Sequence, residues 1–94
     1  MNHKNALFPL GRVLCTPGAL LKLMRFGVDG GQLLQRHVVG DFGDLCDEDR
    51  ATNLMAIAEG GRVFSSYEVA PRVKVWVITE ADRSATTLLL PSEY

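Results

Sequence analysis

A chain of 94 residues, 47% of them hydrophobic and 22% charged, has the composition of one folded domain and not that of a disordered tail. Ten basic against eleven acidic residues leave a net charge of −1. Direct nucleic-acid binding is thereby disfavoured, because gripping a phosphate backbone calls for a basic excess, and DNA mimicry is disfavoured because it calls for a large acidic one.

Two cysteines, Cys15 and Cys46, are too few for a disulfide framework and lack zinc-ligand spacing, so both are expected as buried free thiols. Residues 1–10 hold no apolar signal segment, since Pro9 and Gly11 break the only candidate stretch. No run approaches the ~18 apolar residues of a membrane span. A cytoplasmic location without a membrane partner is therefore expected. A domain this small buries a modest share of its surface, which makes a homodimer a natural support.

Residues 11–15 are predicted as a short strand between the breakers Pro9 and Pro17. Thr16 can cap the helix that follows, with Pro17 at its first position, Leu20, Leu23 and Met24 at helical spacing and Gly27 as the stop. Asp29 and Gln32 have capping-box spacing, so a second helix runs to about Val38 with Leu33, Leu34, His37 and Val38 on its buried side. Residues 40–45 form a turn-like segment in which Gly40 and Gly43 can take positive φ and Phe42 stands between Asp41 and Asp44.

A third helix begins near Asp47, where Asp47, Glu48 and Asp49 complement the helix dipole, and stops at Gly60. Ala51, Leu54, Met55 and Ala58 are its predicted inner stripe. From Arg62 onward the period falls to two: a strand to Ala70, a tight connection through Pro71 and Arg72, a second strand from Val73, a turn over residues 79–84 and a last strand from Ala85 to Leu90. The predicted architecture is α+β: a short N-terminal strand, three helices, then a three-strand antiparallel meander with the helices on one face. Lys74, Trp76 and Ile78 share a face of the central strand, and a partner or a second copy would cover that face in part.

Two constellations bear on chemistry. His37, Asp41, Asp44, Asp47, Glu48 and Asp49 put an imidazole and five carboxylates within thirteen positions. Acid–base or metal chemistry needs such groups converging on one point, yet the spacing matches neither an EF-hand loop nor a zinc hydrolase, and turn formation and helix capping account for the acids. An acidic recognition loop displaying Phe42 is the intermediate reading. The turn with Glu80, Asp82, Arg83 and Ser84 reads as internally paired and solvated, and Arg83 would be an architectural clamp if it reached residues 41–44. No nucleophile elbow, phosphate loop, metal set or cofactor motif is present.

The segments 33–37, 40–45 and 60–62, and above all the run from Trp76 to Pro91, resemble a family of small bacterial plasmid-related proteins over nearly the whole chain. Where that family has tryptophan between the two acids of the loop, this chain has Phe42. The resemblance supplies no catalytic residue. It implies a context of plasmids, phages and integrated elements, whose small proteins often block host defence enzymes or regulate transfer. A second resemblance, to the RelE-like toxin ribonucleases, is of topology alone, and those enzymes are typically basic.

The favoured reading is a non-catalytic protein-binding module without cofactor, an inhibitor of anti-CRISPR or anti-restriction type, whose protein partner is a defence effector. Its expected contact residues are Asp41, Phe42, Asp44, Trp76 and Arg83. The alternatives are a RelE-like ribonuclease or other small acid–base enzyme using the region of His37, Asp41 and Asp44, and a structural homodimer subunit with Trp76 between copies.

Overall fold

A computed structural model describes residues 5–94. The stretch expected to hold no signal segment, residues 1–10, begins with residues 1–4, which lie outside the described residues. The elements follow in the order β1 (Arg12–Cys15), α1 (Pro17–Phe26), α2 (Gly30–Val38), α3 (Asp47–Glu59), β2 (Val63–Ala70), β3 (Val73–Thr79), β4 (Ala85–Leu89) and a 3₁₀ turn (Pro91–Glu93). Local chemistry accounts for most of the boundaries. Thr16 accepts the Ala19 amide with Pro17 in the first turn, Asp29 accepts the Gly31 amide, and Gly27 closes α1 in the left-handed region.

The sheet is four-stranded and mixed, in the order β1-β4-β3-β2. The expected meander β2-β3-β4 is antiparallel, but it is not the whole sheet, because β1 pairs parallel with β4 and becomes its outer strand. A parallel pair needs a long crossover, and here the three helices and two strands between β1 and β4 supply it.

Period-two alternation sends Val63, Ser65 and Tyr67 of β2, Val75, Val77 and Thr79 of β3, and Thr86 and Leu88 of β4 to the helix side. Ala19 and Leu23 of α1 and Leu33 of α2 meet Tyr67, Val75, Val77 and Leu88 there, while Val38 joins Phe8, Phe42 and Val63 in a second cluster. Full burial of each valine, leucine or phenylalanine side chain among these stabilises by about 1.5–3 kcal/mol.

Helix α3 turns the other way from the expectation. Leu54 and Met55 are exposed, and Ala51 and Ala58 with them; Asn53 is buried, and Arg50, Ala56 and Ile57 are half-buried. Asn53 sets this rotation. Its amide donates to the Phe64 carbonyl (2.7 Å) and accepts the Phe64 N–H (3.1 Å), so the helix is pinned to the outer edge of β2 by a side chain that reproduces a strand partner. Both cysteines are exposed, correcting the expected buried thiols: Cys15 lies on the outer strand and Cys46 at the start of α3.

The segment 40–45 is stitched to the same edge. Ser66 N–H donates to the Phe42 carbonyl (3.0 Å) and Asp44 N–H to the Ser66 carbonyl (2.7 Å), which makes Gly43 a one-residue bridge beside β2. Gly43 takes φ +77°, and a Cβ there would collide with the Ser66 carbonyl. Gly43→Ala is therefore expected to cost at least about 2 kcal/mol, read as a lower urea midpoint at unchanged slope.

Candidate functional site

The helices leave one face of the sheet open, and its residues are fixed by the alternation that builds the core. Phe64 of β2, Trp76 and Ile78 of β3, and Thr87 and Leu89 of β4 point away from the helices, with Ile78 and Leu89 buried and Phe64, Trp76 and Thr87 half-buried. Two of these rings pack edge to face, Phe64 against Trp76 at 4.9 Å and 86°.

The C-terminal residues complete the surface. Glu93 accepts hydrogen bonds from the Thr16 hydroxyl and from the Gly18 and Leu90 amides, which hold its carboxyl below the usual range and fasten the 3₁₀ turn to the start of α1. Tyr94 is thereby set against Trp76 (5.7 Å, 68°), and its hydroxyl accepts from Arg62 Nη1 at 2.7 Å. Arg62 also faces Glu80 at 3.5 Å. The result is a cavity of about 240 Å³ lined by Arg62, Phe64, Trp76, Ile78 and Tyr94. It is an aromatic recess with one guanidinium on its wall. A recess of this kind accepts an apolar or aromatic side chain, and the guanidinium offers a hydrogen-bonding edge beside it.

Trp76 is the expected contact residue that this surface includes. Ile78 shares with Trp76 the face that the sequence pattern assigns to a partner or second copy, whereas Phe64, Arg62 and Tyr94 are not among the expected contact residues, and Phe64 joins Trp76 through the register of β2 against β3. Tyr94 carried no local signal, because its position depends on the fastening of Glu93 to α1.

The loop behaves differently. Phe42, expected on display, is 2% exposed and packs with Phe8, Val38 and Val63. The Ser66 bridge turns its ring inward. Asp41 is exposed but engaged: Arg36 grips it with two hydrogen bonds (2.7 and 3.2 Å), holding its carboxyl below its ordinary value. The same guanidinium lies 4.4 Å from the Tyr67 ring centroid, and Tyr67 Oη donates to the Asp41 carbonyl at 2.6 Å. Burial pushes the Tyr67 phenol up to about 12. Asp44 faces Lys74 at 3.5 Å.

Arg83 is an architectural clamp, with partners other than residues 41–44. In the left-handed conformation (φ +63°) it donates to the carbonyls of Ala56 (3.0 Å), Glu80 (3.1 Å) and Gly61, tying the end of α3 to the β3–β4 turn.

His37 lies apart from these acids, 0% exposed, in a chain of neutral hydrogen bonds. Ser65 Oγ is 2.6 Å from Nδ1, Thr79 Oγ1 is 2.9 Å from Nε2, Thr79 and Thr86 hydroxyls are 2.7 Å apart, and Thr86 donates to the Leu10 carbonyl at 2.7 Å. The carbonyl end fixes every proton. Thr86 spends its hydrogen on Leu10, so Thr79 must donate to Thr86 and accept from Nε2–H; Nδ1 is then the acceptor of the Ser65 hydroxyl. Phe8 and Phe42 close around the ring at 5.1 and 6.5 Å. Burial lowers the imidazole to about 4. A neutral, sealed histidine of this kind organises the core.

Among the described residues no three histidine, cysteine, aspartate or glutamate side chains are grouped as metal ligands, and no helix is long and apolar enough to cross a membrane. Comparison with protein-family models, curated proteins and solved structures finds no match to the chain.

Proposed function

We propose that the protein is a non-catalytic protein-binding module whose contact surface is the open face of the sheet around Trp76. The observation that carries this reading is the recess formed by Phe64, Trp76, Ile78 and Tyr94 with Arg62 on its wall. Aromatic and arginine side chains gathered around a concavity are the usual anchors of protein interfaces, where few residues carry most of the energy. The occupant on this reading is a protein segment that inserts an apolar or aromatic side chain and hydrogen-bonds to Arg62. Of the expected contact residues, Trp76 stands at the centre of this reading, Asp41 and Asp44 are paired with Arg36 and Lys74, and Phe42 and Arg83 serve the fold.

The mobile-element context implied by the family resemblance makes a host defence effector the first partner to try. Tagged protein is incubated with purified candidate effectors, and bound material is measured for the wild type and for Trp76→Ala. Trp76 is half-buried on the open face, so its loss is expected to weaken capture by at least about thirtyfold, the magnitude of a central anchor. Capture by a folded Trp76→Ala variant equal to that of the wild type would remove this face from the interface.

A further inference from the structure

The two edges of the sheet are finished differently. On β2 the outward-facing backbone groups of Phe64 and Ser66 are already used, the first by the Asn53 side chain and the second by the Gly43 bridge. On β1 nothing comparable is present among the described residues. Arg12 N–H donates to the Ser84 carbonyl and Thr16 N–H to the Leu88 carbonyl, so Arg12, Leu14 and Thr16 face β4. By alternation the N–H and C=O groups of Val13 and Cys15 point outward, away from the sheet.

An open edge is usually blunted by shortness, charge, proline, a bulge or a covering element, and of these β1 has its four-residue length and Arg12. Here all four residues of β1 are exposed, and Arg12 is its one charged member. The apolar surface does not end at the strand. Leu20 (50% exposed) and Met24 (69%), one turn apart on α1, stand over Val13 (47%), and together with Cys15 and Leu34 they line a groove of about 310 Å³. Asp29 is the only charged side chain of that lining among the described residues, and it is turned to its own helix as the α2 cap.

We infer that a second copy of this chain docks on the β1 edge, pairing strand to strand about a two-fold axis through Leu14. The shape of the patch selects this occupant. An extended peptide could satisfy the amides of Val13 and Cys15 but would leave Leu20 and Met24 in water, whereas a body that offers a strand edge and an adjoining apolar helix face covers both, and this chain is such a body. The register is self-complementary. With Leu14 on the axis, Val13 exchanges both amide bonds with the partner's Cys15, and Cys15 does so with the partner's Val13. Arg12 then lies across from the partner's Thr16, so the two guanidinium groups are kept apart and no like charges oppose. The two four-stranded sheets join into one.

This surface is distinct from the recess at Trp76, and so is its test. Sedimentation over a range from low micromolar to millimolar should show a concentration-dependent dimer for the wild type and for Trp76→Ala. The double variant Leu20→Glu, Met24→Glu changes two exposed side chains and should keep the helical circular dichroism while weakening self-association at least about tenfold. In a background with Cys15→Ser and Cys46→Ser, Leu14→Cys should form a covalent dimer on mild oxidation, because an axial non-hydrogen-bonded pair brings the two Cα atoms within disulfide reach; Leu54→Cys, on α3 and more exposed than Leu14 (55% against 41%), should not. A wild type that stays monomeric at millimolar concentration, a dimer that survives the double variant, or equal cross-linking at Leu14 and Leu54 would each overturn the proposal.

Discussion

Replacing Phe42 by alanine is expected to lower folding stability by about 3–5 kcal/mol, the range for removing a large aromatic side chain from a packed core. Phe42 is 2% exposed and packs among Phe8, Val38 and Val63, with the His37 ring 6.5 Å away. A domain of this size has total stability of about 5–15 kcal/mol, so the loss is a large fraction of it. Urea unfolding followed by Trp76 fluorescence measures the change. An unchanged midpoint would place Phe42 at the surface after all. The same measurement governs the reading of any binding experiment on this loop: loss of capture by Phe42→Ala would report unfolding before it reported a lost contact.

The second large effect is acid lability centred on His37. In the unfolded chain its imidazole titrates near its ordinary value of about 6.5, and in the fold burial lowers it to about 4. The folded state therefore excludes a proton that the unfolded state accepts. The stability tied to the neutral ring is complete above pH 6.5 and falls away as the pH drops toward 4, by about 3 kcal/mol in all. The partners sharpen the effect. The groups in contact with the ring, Ser65, Thr79, Phe8 and Phe42, are uncharged, and protonation at Nδ1 would turn an acceptor into a donor facing the Ser65 hydroxyl, which would have to rotate.

His37→Gln keeps a polar group but removes the titration. It should be less stable than the wild type at pH 7 by about 1–3 kcal/mol, the cost of imperfectly satisfied buried partners, yet its stability should vary less between pH 6.5 and 4. Parallel pH profiles for the two proteins would refute the assignment. Carboxylates held low by hydrogen bonds, Asp41 and Glu93, lose their contribution lower on the scale and do so equally in both proteins.

Much of the fold follows from short-range chemistry and was readable as such. Thr16 before Pro17, Asp29 before two glycines, the acids at the start of α3 and the period-two runs after Arg62 each state a local preference that the whole structure respects. The parallel pairing of β1 with β4 has no such signature, because partners some seventy positions apart share no local pattern and the choice of edge depends on where three helices leave room. Strand β1 by itself is compatible with either neighbour.

The faces of α3 show a second kind of limit. A stripe of Ala51, Leu54, Met55 and Ala58 is the more apolar one, but it loses to the face of Asn53 because the outward N–H and C=O of Phe64 must be satisfied and the Asn53 amide satisfies both. Hydrophobicity alone cannot weigh that demand. In the loop, two acids around an aromatic look like a display, and the backbone bridge to Ser66, invisible in composition, turns the ring inward. At the candidate site Trp76 was legible as a surface residue of the central strand, whereas the recess around it depends on Tyr94, brought there by Glu93 bonding to the start of α1.

The measurement that bears most directly on the binding surface is backbone and side-chain chemical-shift mapping of the isotope-labelled protein during titration with a captured partner. The account predicts that the largest perturbations fall on Arg62, Phe64, Trp76, Ile78 and Tyr94, with the indole N–H of Trp76 among the first to move. Perturbations confined to residues 41–45 and the exposed face of α3, with the Trp76 indole unmoved, would contradict it.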